Sequence, residues 1–174
     1  MKDSAKMVTE AISLPEARAS DPELSTPRNQ PSKIKTVLLA TDLTPASEVA
    51  TDQAIDLAAS ITARLLIVNV IAPSQPGAVP AGPYPSIVRV DQQRASREGP
   101  LLSIVERART RGIEAAFLLW TGEPGPGIVA AAEGEGADLI VVGTRGLDRA
   151  GRFLLGSVSD YVVYHSSCPV LVAH

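Results

Sequence analysis

The sequence predicts a doubly wound α/β fold, in which a five-stranded parallel sheet carries helices on both faces. Short aliphatic runs of strand length alternate along the chain with segments of helical periodicity. Hydrophobic residues make up 45% of the 174 residues but aromatic residues only 3%, so Val, Ile, Leu and Ala must build the core. That composition is typical of strands that helices bury on both faces. The length suits one domain with a sizeable core.

The five strands are predicted from aliphatic runs bounded by turn-forming or polar residues. A strand buried on both faces shows no alternation of polar and apolar residues, so a continuous apolar run indicates a strand of a parallel sheet. The predicted strands are Ile34–Ala40, Leu65–Ile71, Ile113–Thr121, Asp138–Val142 and Pro169–Ala173.

Four helices are predicted between these strands, over about Ala46–Ile61, Pro100–Arg111, Pro124–Glu133 and Leu154–His165. Thr44 is expected to cap the first helix, with Pro45 at the first helical position. The pair Gly99-Pro100 would break or kink a continuous helix, so the lead-in Ile87–Glu98 is predicted as a separate short helix.

Two segments are expected to lie outside the packed layers. Residues 1–32 mix polar residues and proline with little periodicity, and they are predicted to be a flexible tail of the domain 33–174. Residues Pro73–Pro85 are rich in Pro, Gly and Ala and are predicted to form a loop.

The net charge and the cysteine content exclude several classes of function. The formal net charge of −3 argues against general binding to nucleic acid or to an anionic membrane. One cysteine, Cys168, excludes an internal disulfide and fits a reducing compartment. No apolar run approaches the roughly 18 residues that span a bilayer, and the N-terminus lacks a secretory signal. We therefore expect a cytoplasmic protein with no membrane partner.

The most informative stretch follows the fourth predicted strand. It comprises Gly143-Thr144-Arg145-Gly146, nine further residues, and then Gly156-Ser157 at a predicted helix start. Glycine amides beside a helix N-terminus attract anions, because bare N–H groups and the helix dipole both favour negative charge. Arg145, Arg149 and Arg152 add positive charge to this loop. Local chemistry leaves two interpretations open, a nucleotide-phosphate site and a tight strand–helix connection with solvated arginines.

A second glycine pattern imitates a dinucleotide site. The run Gly125-Pro126-Gly127-Ile128-Val129-Ala130 fits G-x-G-x-x-A and follows a predicted strand. However, Pro126 removes a backbone donor, and no acidic residue ends a following strand about twenty positions later. We therefore predict that this run is only the start of a helix.

Three separated motifs resemble the ATP-binding branch of the universal stress protein family. The pattern G-x2-G-x9-G-[ST], followed by Val158, resembles the family's nucleotide loop, and the later run Cys168–Val172 also resembles the family. The run Leu38–Asp42 resembles the family's first strand and acidic loop, with Ala40 where members often have proline. The run Gly136–Gly143 resembles the segment before the nucleotide loop. The resemblance covers about residues 33–174.

The resemblance implies a site for ATP, or another adenine nucleotide, with Mg²⁺ or Mn²⁺ at its phosphates. Adenine would lie near Val70 and the loop at the end of the first strand, and the phosphates would lie against the glycine-rich loop and the following helix. The implied binding residues are Ala40, Thr41, Asp42, Val70, Gly143, Thr144, Arg145, Gly146, Arg149, Gly156, Ser157, Val158 and Ser159.

Sheet topology leads to the same position. In such a sheet the order would be 3-2-1-4-5, so the connections of strands one and four diverge, and ligands bind at that switch point. Asp42 and Gly143 end those two strands. Asp42 has two interpretations: it contacts the nucleotide or holds Mg²⁺ through water, or it caps the turn after the strand.

The last predicted strand, Pro169–Ala173, lies at a sheet edge with open hydrogen-bonding groups. The family pairs this strand with its symmetry mate, so the resemblance implies a homodimer. The alternative is an edge that the tail or the fourth helix shields. The implied function is a nucleotide-holding regulator of an unknown protein partner under stress. A slow ATPase or nucleotidyl-transferring enzyme, or a dimerisation module without nucleotide binding, stays open.

Overall fold

The computed structural model of the chain describes residues 33–72, 86–144 and 156–174, all within the compact unit Lys33–His174. The predicted tail 1–32 and the predicted loop Pro73–Pro85 lie outside the described residues. The elements are β1 (Thr36–Ala40), α1 (Glu48–Ile61), β2 (Arg64–Ile71), α2 (Ser86–Thr110), β3 (Ala115–Thr121), α3 (Pro124–Gly134), β4 (Leu139–Gly143), α4 (Ser157–His165) and β5 (Val170–Ala173).

The five strands form one parallel sheet in the order β3-β2-β1-β4-β5. This confirms the predicted fold and strand order. Ala40, at the end of β1, is level with Val68 of β2 and Val142 of β4. The loops that follow these central strands therefore begin at one edge of the sheet, which is where a switch-point ligand would bind.

Two apolar layers cover the two faces of the sheet. Leu39 belongs to the layer that includes α1 and α2, whereas its neighbour Leu38 belongs to the layer that includes α3 and α4. All residues of β1 are buried, and both leucines have no exposed surface. Burial on both faces explains why the strands are continuous apolar runs. Each fully buried leucine contributes about 2–3 kcal/mol of hydrophobic stabilisation.

Helix α2 differs from its prediction. It runs unbroken from Ser86 to Thr110 with Pro100 inside it, so the separate short helix predicted over Ile87–Glu98 is wrong. Pro100 has no N–H group to donate to the Ser96 carbonyl four residues earlier. Because Ser96 and Pro100 are both exposed, water can donate to that carbonyl instead. The buried side chains that follow hold the helix on the sheet, and these are Leu101, Ile104, Val105 and Ala108.

Ion pairs join α2 to α1. Arg107 contacts Glu48 at 3.0 Å and also Asp52, and Arg111 lies 2.9 Å from Asp56. Hydrogen bonding to Glu48 raises the pKa of Arg107 above its already high ordinary value. The pairs are largely exposed, so each contributes little stability.

The second glycine pattern lies in α3, which begins at Pro124 as a helix start, as predicted. Gly125 and Gly127 are buried in this helix. A Cβ at Gly125 would lie 2.7 Å from Cδ1 of Tyr161 in α4, and one at Gly127 would lie 3.0 Å from Cδ1 of Trp120. These glycines therefore permit close packing of α3 against α4 and β3.

In the described part of the chain, no helix combines the length and apolar character needed to cross a membrane. Cys168 lies just before β5 and is half-buried, as expected for a structural residue. Trp120 is partly exposed, with 40% of its surface in solvent.

Candidate functional site

A cavity of about 250 Å³ opens at the carboxyl ends of β1, β2 and β4. It brings together most of the residues that the resemblance implied. Those that line it are Ala40, Thr41, Asp42, Val70, Gly143, Thr144, Gly156, Val158 and Ser159. Ser157 is the exposed first residue of α4 and is not among the lining residues. Arg145, Gly146, Arg149 and Arg152 lie outside the described residues.

The loop after β1 is held by hydroxyl groups. The Ser47 hydroxyl donates to the Thr44 carbonyl at 2.8 Å, so the buried Thr41 hydroxyl is the donor in its 2.9 Å bond to Ser47. Thr41 Oγ1 also accepts the Leu43 amide at 3.1 Å. Leu43 has a φ of 63°, a left-handed conformation that costs a non-glycine residue about 1–2 kcal/mol. These bonds stabilise the loop in this strained form, as is common at binding sites.

Asp42 has the structural role that the sequence left open, and it also lines the cavity. Its Oδ1 accepts the Thr44 amide at 3.0 Å and the Thr44 hydroxyl at 2.7 Å, which closes a tight turn. Thr44 occupies the predicted N-cap position, but its side chain makes no cap hydrogen bond to a helix amide, while its hydroxyl donates to Asp42. Pro45 does occupy the first helical position, in a 3₁₀ turn Pro45–Ser47 before α1.

One wall of the cavity is apolar. Val68, Val70, Ala72, Pro124 and Ile128 contribute to it. Val70 is half-buried and lies opposite Trp120 in the sheet register. A Cβ at Gly127 would lie 3.2 Å from Cγ1 of Val70, so the missing side chain lets α3 approach this wall. The wall suits a flat apolar group whose edge meets the polar end of the sheet.

The start of α4 forms another part of the lining. Gly156 precedes the helix in extended conformation, and the amides of its first turn have no partner within the helix. These amides and the helix dipole favour an anion. The Ser159 hydroxyl, in contrast, donates to the Gly156 carbonyl at 2.9 Å. The Thr144 amide donates to Ala173 at 2.8 Å, so this amide ties the end of β4 to β5.

Sequence reasoning missed two residues, Asn69 and Arg97. Asn69 is 1% exposed, and its Nδ2 donates to the Thr41 carbonyl at 2.8 Å. Arg97 of α2 lines the cavity and donates from Nη1 to Asn69 Oδ1 at 2.7 Å. An amide inside an apolar strand run could have indicated Asn69. Arg97 carried no such indication, because it lies 28 residues away in a helix whose continuity was not predicted.

Within the described ranges, no group of three or more His, Cys, Asp or Glu side chains could hold a metal ion. Asp42 is the acidic residue of the cavity lining. Magnesium needs only one or two carboxylates when phosphate oxygens and water complete its shell. The donor set thus fits a metal that arrives with a phosphate ligand, not a metal held by protein groups alone.

The sequence of this chain matches a known protein family. The universal stress protein family model matches residues 33–174. A universal stress protein of Thermus aquaticus is 38% identical over 141 residues, which cover 79% of this chain and 97% of the relative. The universal stress protein Sll1388 of Synechocystis is 42% identical over 82 residues, which cover 47% of this chain and 53% of the relative.

Solved structures agree with the sequence comparison. A universal stress protein crystallised in complex with cAMP superimposes with a TM-score of 0.63 at 29% identity, covering 82% of this chain and 98% of its own. The family model spans the whole compact unit that carries the cavity, and the Thermus relative covers more than two thirds of the chain. The chain therefore belongs to the universal stress protein family.

Proposed function

We propose that this protein holds ATP, or a related adenine nucleotide, in the cavity and acts as a nucleotide-dependent regulator in the cytoplasm. One observation carries the proposal. Three segments far apart in sequence, those ending β1, β2 and β4, converge with the start of α4 on one cavity at the switch point of the sheet. That is where doubly wound sheets bind ligands.

The two walls of the cavity match the two halves of a nucleotide. The apolar wall at Val70 suits the flat base, and the polar loop at Thr41 and Asp42 can meet the base edge or the ribose. The amides at the start of α4 suit the phosphates. The cAMP complex of the similar protein supports an adenine nucleotide as the ligand. Mg²⁺ or Mn²⁺ would accompany the phosphates, with Asp42 as its protein neighbour.

The proposal is tested with purified protein in two steps. Heat-denatured protein should release an adenine nucleotide into the supernatant, where chromatography identifies it. Calorimetric titration of nucleotide-free protein with ATP and Mg²⁺ should then give saturable binding with one site per chain. Protein that carries no nucleotide and gives no binding heat at millimolar ATP would sink the proposal.

The proposed role is holding the nucleotide and not consuming it. Phosphoryl transfer needs a positioned nucleophile or water and charge stabilisation at the γ-phosphate. The Ser157 hydroxyl is exposed and does not line the cavity. We expect ATP turnover no higher than that of a mock purification. A clear rate that Ser157→Ala abolishes would instead indicate an enzyme.

We further propose that β5 pairs with its symmetry mate to form a homodimer. β5 bonds only to β4 in the described sheet, and Leu171 is 37% exposed. Val163 and Tyr164 of the adjacent α4 expose 43% and 85% of their surface. An open strand edge beside exposed apolar side chains is a pairing surface unless something covers it.

Leu171→Arg is expected to weaken this dimer at least tenfold, because two guanidinium groups would face each other across the two-fold axis. Sedimentation velocity over a concentration series measures the change. Leu102→Arg is the matched control, since Leu102 is 48% exposed on α2, which packs on β2 and β3 at the other end of the sheet. A dimer equally stable in both variants would rule out pairing through β5.

A further inference from the structure

Arg97 of α2 contributes a cation to the lining of the cavity. None of the three motifs that resemble the family lies in α2. Arg97 lies in the middle of α2 and is half-buried. Its side chain lines the same cavity as Val70 and Asp42. The guanidinium therefore borders the space that the proposed nucleotide would fill.

Asn69 holds this guanidinium in place. The Asn69 side chain is almost fully buried, its Nδ2 bonds to the Thr41 carbonyl, and its Oδ1 accepts Arg97 Nη1 at 2.7 Å. A chain of hydrogen bonds thus runs from the end of β1 to Arg97. Fixing an arginine in advance lowers the entropy cost of its contacts with a ligand. Only one of its five N–H donors is used by Asn69.

Arg97 makes no ion pair with the described part of the protein. Arg107, Arg109 and Arg111 of the same helix each contact a carboxylate within 3.1 Å. Among the described residues, no carboxylate lies within ion-pair distance of Arg97. A half-buried, oriented guanidinium with open donors is a receptor for an oxyanion, and its fork geometry matches phosphate.

We infer that Arg97 contacts the phosphate-bearing part of the bound nucleotide and makes the site select phosphorylated ligands over the neutral nucleoside. This inference rests on the proposed function. Arg97 adds a charged element on the α2 side of the same cavity, separate from the amides at the start of α4. Asn69 acts as a positioning residue, because it is not among the cavity-lining residues and its Oδ1 holds Arg97 in place.

The test compares ATP, AMP and adenosine as ligands in calorimetric titrations. In Arg97→Met, which keeps the length of the side chain but removes its charge, ATP and AMP should each bind about tenfold more weakly. Adenosine should bind as it does to the unmodified protein. Arg97→Lys should recover part of the loss, since it restores the charge without the fork.

Arg94→Met is the matched control. Arg94 lies one turn earlier in α2, donates to Thr121 Oγ1 at 3.4 Å and is not among the cavity-lining residues. This control removes the same net charge, so its ATP affinity should change less than twofold. A tenfold loss in both variants would mean that Arg97 acts only through the general field of the protein, and would overturn the inference.

The remaining outcomes are also decisive. Unchanged ATP affinity in Arg97→Met, while the unmodified protein binds ATP, overturns the inference and leaves the proposed function intact. An equal loss for ATP and adenosine would place Arg97 on the base or the ribose, and would likewise overturn it. If the unmodified protein binds none of the three ligands, the proposed function itself fails.

Discussion

Replacing Gly125 with alanine is expected to lower the free energy of unfolding by about 2 kcal/mol, although alanine favours helices. The new methyl group would lie 2.7 Å from Cδ1 and 2.8 Å from Cγ of Tyr161, too close for the two helices to keep their spacing. Overpacking of this kind costs about 1–3 kcal/mol. Urea unfolding followed by circular dichroism measures the change.

Two controls separate this clash from a general effect of the substitution. Gly134 lies in the same helix, and a Cβ there would meet nothing within 4 Å, so Gly134→Ala should stabilise by about 0.5–1 kcal/mol. In a Tyr161→Ala background, which removes Cγ and Cδ1, Gly125→Ala should lose most of its cost. An equal cost in both backgrounds would show that the α3–α4 contact is not the cause.

Asn69→Leu is expected to destabilise the protein by about 2 kcal/mol and to weaken ATP binding as well. Leucine has a similar size but leaves the Thr41 carbonyl without its buried donor, a loss of about 1–3 kcal/mol. It also removes the acceptor that orients Arg97. Urea unfolding and calorimetric ATP titration measure the two effects separately.

The double variant Asn69→Leu, Arg97→Met distinguishes these two roles of the amide. Its stability loss should stay close to that of Asn69→Leu alone, because the carbonyl of Thr41 is still unpaired. Its ATP affinity should stay close to that of Asn69→Leu alone, since Arg97 has already lost the acceptor that orients it. Independent, additive losses of affinity would argue against a positioning role for Asn69.

The sheet was predictable because β1 and β4 are buried on both faces, which leaves continuous aliphatic runs in the sequence. The cavity was predictable because the segments after those two strands must meet at one edge once the strand order is known. The family resemblance supplied the implied roles of Gly143 and Gly156.

Two features were not predictable for a common reason. The unbroken α2 contradicts a local rule about proline, because the buried Leu101 and Val105 hold the helix while Pro100 lies at the surface. Arg97 lies in the turn of α2 before that proline. The place of its side chain beside Asn69 depends on how α2 packs on the sheet, and this information is long-range.

Trp120 is a natural fluorescent probe beside the apolar wall of the cavity. Trp120 is the only tryptophan of the chain, it lies opposite Val70 in the sheet, and its ring edge abuts Gly127. With 40% of its surface in solvent, its indole emission responds to changes in the packing and wetting of that wall. A ligand that fills the cavity beside Val70 should therefore change the intrinsic fluorescence of the unlabelled protein.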